Sequence, residues 1–109
     1  MREGRLGRMD KNTAMGTLLA FIKKSKVPAK NWYVGITNDP YRRVFIEHNV
    51  PLDYQFHKAV DVPSVADARD VEAFFIQKIK TDGGQGGGES DAHFVYAFLK
   101  TETTNPSLT

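Results

Sequence analysis

Trp32-Tyr33-Val34-Gly35-Ile36-Thr37-Asn38-Asp39-Pro40-Tyr41-Arg42-Arg43-Val44 is the stretch on which the fold turns. Its first six residues are rich in aromatic and β-branched side chains and read as a strand. Asn38-Asp39-Pro40 then punctuates the chain. Asp39 is suited to cap a helix, and Pro40 to its first position, where a missing N–H costs nothing. The pattern predicts a short helix over residues 40–48 with Tyr41, Val44, Phe45 and His48 on its apolar side, broken by Pro51.

Working toward the N-terminus, Met15, Leu18, Leu19 and Ile22 recur at three- and four-residue steps and predict a helix to about residue 24, capped by Asn12 or Thr13. Toward the C-terminus, residues 53–61 alternate as a second strand. Pro63-Ser64 opens a third helix to about residue 80, with Ser64 as its cap and a seam of Ala68, Val71, Phe75 and Ile79 flanked by Phe74. The glycine-rich stretch 82–88 reads as a loop. Residues 93–100 read as a third strand, apolar on both faces and therefore suited to the middle of a sheet. The expected architecture is α+β, a small mixed or antiparallel three-stranded sheet flanked by three helices. Residues 11–100 form one domain, residues 1–10 a basic arm, and residues 101–109 a polar tail; both ends are expected to fray.

Composition narrows the function classes. At 109 residues the chain can bury one core. A net charge of +2 permits a nucleic-acid partner without arguing for one. The absence of cysteine excludes disulfides, thiolate zinc sites and cysteine nucleophiles, and fits a reducing cytoplasm. No apolar run is long enough to span a membrane. The basic start followed by an apolar stretch superficially suggests an export signal, but Lys23 and Lys24 follow directly and no small-residue cleavage site appears; no export and a cytoplasmic location are expected.

The strand–turn–helix stretch resembles the second half of the GIY-YIG nuclease signature. There, a Tyr-Ile/Val-Gly strand end is followed by a helical arginine, as Tyr33 is by Arg43. Val71-Glu72-Ala73-Phe74-Phe75-Ile76 looks like the later helix whose glutamate holds a divalent metal. The resemblance spans residues 31–80, roughly half the chain. It implies a metal-dependent endonuclease acting on DNA. Arg43 would clamp the scissile phosphate, since an arginine offers a fixed fork of donors to developing charge. Glu72 would hold Mg²⁺ or Mn²⁺, a hard ion that binds carboxylate oxygen and keeps most of its waters. Tyr33, with Tyr96 or His48, would manage the attacking water and its proton. Gly35, Thr37 and Arg42 would contact substrate; a glycine lets another backbone approach a strand closely.

Two departures from the family pattern carry their own expectations. The opening Gly-Ile-Tyr strand is absent around Ile22, where the helix and two lysines stand. The final strand is the candidate replacement, as in a circularly permuted core, with Tyr96 as the second active-site tyrosine. Many members also carry a histidine or tyrosine four residues after the arginine. Here that position is Glu47, and His48 follows one residue, or 100° of α-helix, later.

Each residue also has a plainer reading. Arg43 can pair with Glu47 one turn on. Glu72 can belong to a structural ion pair, Tyr33 and His48 to packing, and Gly35 to a bulge. The glycine run lacks the Gly-Lys-Ser/Thr ending of a phosphate-binding loop and leads to a strand. His57 and His93 have no metal-ligand spacing. The basic residues Arg2, Arg5, Arg8, Lys23, Lys24 and Lys26 suit phosphate contacts or a solvated face. Besides the nuclease, the sequence leaves open a nuclease-like module that binds nucleic acid or a protein partner without cutting, and a small interaction protein that shares only the fold. A second copy of the chain is likewise left open as partner.

Overall fold

A computed structural model describes residues 8–51, 55–84, 90–101 and 104 of the chain. In chain order these form α1 (Lys11–Ser25), β1 (Trp32–Thr37), α2 (Tyr41–Glu47), β2 (His57–Asp61), α3 (Val65–Phe74, continued by Phe75–Ile79), β3 (Asp82–Gly83) and β4 (Phe94–Leu99). The sheet order is β2-β4-β1-β3. β1 and β2 both pair antiparallel with β4, and β3 pairs parallel with β1. The fold is thus α+β with a mixed sheet, and the doubly apolar β4 lies inside it.

The sheet has four strands rather than the expected three. Asp82–Gly83 pairs with Tyr33 and Val34 instead of belonging to a loop. Glycine allows this pairing: a Cβ on Gly83 would stand 2.6 Å from the Val34 carbonyl oxygen and 2.6 Å from Ile76 Cδ1. Residues 85–88 of the expected glycine loop lie outside the described residues, as do residues 1–7 of the arm, 53–54 of the second predicted strand and most of the tail.

The two faces of β1 explain the core. Trp32, Val34 and Ile36 point into the larger core, with Ala14, Leu18 and Ile22 of α1 and Ala68, Val71 and Phe75 along α3. Tyr33 points the other way, into a second cluster of Val44, Val50, Tyr96 and Phe98, with Phe45 against it. This is period-two alternation with both faces covered, so all six residues of β1 are buried. Each fully buried large apolar side chain contributes roughly 1.5–3 kcal/mol.

Local chemistry sets the helix ends. α1 is capped by Asp10, whose carboxylate accepts from the Thr13 N–H at 2.7 Å, rather than by Asn12 or Thr13. The carboxylate is the better partner for the positive helix end. The last residues of the predicted arm, Arg8 to Asp10, are tied down: Met9 N–H donates to the Asp61 carbonyl at 2.9 Å, and Arg8 pairs with Asp61 at 3.6 Å. Ser64 caps α3 as expected, accepting from Asp67 N–H at 3.1 Å. The chain leaves α2 through Asn49, with φ of 59°, a left-handed position that asparagine tolerates.

Candidate functional site

α2 enters with Thr37 and Asp39. The Thr37 hydroxyl accepts from Asp39 N–H at 3.0 Å, and the Asp39 carboxylate accepts from Arg42 N–H at 3.2 Å. Thr37 is fully buried, and this hydroxyl contact serves the turn. From there α2 is wound wide: His48 N–H donates to the Arg43 carbonyl at 2.9 Å, a bond that encloses one more residue than an α-helical turn. The winding bears directly on the histidine displaced in the sequence. With one extra residue in the turn, the fifth residue after Arg43 stands near where the fourth would stand in an α-helix.

His48 consequently faces the sheet and is fully buried. Its Nε2 lies 2.7 Å from the Tyr96 hydroxyl, itself buried on β4. The Tyr33 ring lies beside them in space, 4.8 Å from the His48 ring and 6.3 Å from that of Tyr96. Gly35 is the cross-strand partner of Tyr96. A Cβ there would stand 2.4 Å from the Tyr96 hydroxyl oxygen. The space beside Gly35 is therefore filled by the tyrosine ring.

The remaining charged groups lie within electrostatic reach of the Tyr33 hydroxyl. Burial raises its pKa above the ordinary 10.0, because a phenolate is poorly solvated there. The carboxylates of Asp82 and Glu72 add to the rise; the Arg43 cation and the Gly84 backbone N–H oppose it. Tyr33 is a neutral hydroxyl at neutral pH, fitted to orient a water and donate a hydrogen bond. An alkaline absorbance titration should show a tyrosine that ionises only above the usual range. Because the folded pKa is the raised one, stability should fall as pH climbs past 10.0, where the unfolded chain sheds this proton first. Simultaneous ionisation of all tyrosines near the ordinary value would contradict this placement.

Arg43 and Arg42 share one anchor. Glu47 takes Arg43 Nε at 3.2 Å through one oxygen and Arg42 Nε at 3.1 Å through the other. Arg42 also donates to Asn38 at 3.3 Å. The plainer expectation for Arg43, pairing one turn on, is thus met, and Glu47 fixes the direction of both guanidinium groups. Glu72 is 2% exposed on the inner side of α3. His57 packs edge-on against Phe45 and His93 pairs with Asp61 at 2.6 Å.

Tyr33, Arg43, Glu72, His48 and Tyr96 are therefore brought to one region, spread over β1, α2, α3 and β4. Asp82, Gly84 and the anchoring role of Glu47 were not foreseen as parts of the site. Asp82 and Gly84 were hidden in what read as loop; the Asp-Gly pair directly after a helix was the available signal.

The donor set can be compared with a divalent ion's needs. Among the described residues no group of three or more His, Asp or Glu forms a cage. Mg²⁺ does not require one, since it is held by one or two carboxylates, its own waters and substrate phosphate. Glu72 supplies one buried carboxylate of the type such an ion takes, whereas Asp82 is paired with Lys100 at 3.1 Å. No helix among the described residues is long and apolar enough to cross a membrane. No family model, curated protein or solved structure matches the chain.

Proposed function

We propose that this chain is a divalent-metal-dependent endonuclease that hydrolyses DNA phosphodiester bonds, built on a permuted GIY-YIG-like core. The observation that carries this reading is the buried His48–Tyr96 pair packed against Tyr33, with Arg43, Glu72 and Asp82 within electrostatic reach of the Tyr33 hydroxyl. The pairing of β4 with β1 supports reading the final strand as the replacement for the missing opening strand. Arg43, oriented by Glu47, meets the phosphate and offsets charge that develops on it. Glu72 would hold Mg²⁺ or Mn²⁺, which would supply Lewis acidity. Tyr33 would orient the attacking water. The His48–Tyr96 hydrogen bond provides a place for a proton to be shared, since one ring nitrogen accepts while the other donates in the neutral imidazole.

A second reading is a nuclease-like module that binds nucleic acid or a protein without cutting. The observation favouring it is that Glu47 already engages both arginines. Incubating the protein with supercoiled, branched and single-stranded DNA separates the two. Cleavage with Mg²⁺ or Mn²⁺ and none with chelator is the expected result. Intact DNA of all three kinds under either metal, with salt-sensitive retention, would instead favour the binding module.

A further inference from the structure

A groove of about 470 Å³ lies where the C-terminal ends of α1 and α3 meet the turn before β1. Its apolar walls come from Leu19 and Ile22 of α1, Val27 and Pro28 of the turn, and Ile79 at the end of α3. Lys23, Lys26 and Lys78 line it as well, all three exposed. No acidic side chain lines it. Among the described residues none of the three lysines makes an ion pair.

Lysines near helix C-termini complement the helix dipole, and that service accounts for some of this charge. It does not call for a recessed apolar trough, nor for three like charges around it. A trough of this kind is complementary to a ligand that carries an apolar group between anions.

We propose that the groove docks a short acidic segment of a partner protein, with one aliphatic or aromatic side chain in the trough and flanking carboxylates against Lys23, Lys26 and Lys78. The walls decide between classes of partner. They are aliphatic and offer no ring on which a nucleic-acid base would stack. Their apolar groups line a concavity, whereas the exposed large apolar side chains, Tyr41 and Ile46, stand on α2; a lipid surface is met by apolar groups that protrude. A side-chain-sized concavity with a charged rim is the pattern of a peptide anchor site. This inference does not rest on nuclease activity.

The test is a titration of the isotopically labelled full chain with the capped hexapeptide DELFED, followed by amide chemical shifts. Shifts should move at residues 19–29 and 78–79. Affinity should fall about tenfold or more when Ser-Ser replaces the peptide's central Leu-Phe, and likewise in the Lys23→Glu/Lys26→Glu/Lys78→Glu variant. Those lysines are exposed, so the variant keeps its core. An absence of shift changes at these residues with millimolar peptide would overturn the proposal. So would equal affinity for the Ser-Ser peptide, which would reduce the contact to charge alone. A single-stranded oligonucleotide that displaces the peptide and depends on the same lysines would reassign the groove to nucleic acid.

Discussion

Gly35→Ala should destabilise the domain by about 2–4 kcal/mol, read as a fall of roughly 10 °C or more in the thermal midpoint. Ordinarily glycine to alanine in a strand would help, by about 0.4–1 kcal/mol, because it restricts the unfolded chain. Sterics win here. The new Cβ would stand 2.4 Å from the Tyr96 hydroxyl oxygen and 2.6 Å from Cζ. The ring has little room to yield, being 2% exposed and packed with Tyr33, His48 and Phe98. Displacing it also breaks the 2.7 Å contact to His48. A double-mutant cycle with Tyr96→Val checks the cause: the two losses should be clearly less than additive, because the second substitution removes the obstacle. Additive losses, or a stabilised Gly35→Ala, would contradict the packing described here.

Glu72→Gln is expected to lower metal-dependent DNA cleavage by about 100-fold or more while leaving the fold intact. The amide is nearly isosteric with the carboxylate but is a far weaker ligand for a hard cation. Replacing one buried charge without changing volume can be tolerated or can cost a few kcal/mol, according to what surrounds it. Thermal melts therefore accompany the kinetics. A variant that melts near the wild type and requires more Mg²⁺ assigns Glu72 to the ion. A variant that melts early yet cuts normally at low temperature would make Glu72 purely structural, the plainer reading weighed from the sequence.

Much of this arrangement was legible in the residues because local rules and tertiary demands agree. The strand 32–37, the turn at Asn38 to Pro40 and the Ser64 cap each follow from short-range chemistry, and each occurs in the structure. The doubly apolar 94–99 segment announced an interior strand, and it pairs with both β1 and β2. What was not legible depends on long-range fit. Asp82–Gly83 becomes a strand only because β1 offers a free edge and Gly83 lacks a Cβ. The wide winding of α2, which carries His48 to Tyr96, leaves no mark in apolar periodicity and was read as a 100° misplacement. Tyr41 was assigned to the apolar side of that helix and is 56% exposed, because the wider turn changes which residues face the sheet. The missing Cβ of Gly35 leaves room for the Tyr96 ring, a cross-strand fit that the sequence does not show. Glu47 could be paired with Arg43 by spacing, but its second ion pair, with Arg42, follows from side-chain placement.

The central claim is that Arg43 and Glu72 act together on a phosphodiester. The most direct measurement is nicking of supercoiled plasmid by purified wild type, Arg43→Ala and Glu72→Ala, each with Mg²⁺, with Mn²⁺ and with chelator, after circular dichroism shows all three folded. The expected result is metal-dependent nicking by the wild type and a rate about 100-fold or more lower for both variants. Nicking that persists undiminished in both folded variants, or that ignores the chelator, would contradict the account.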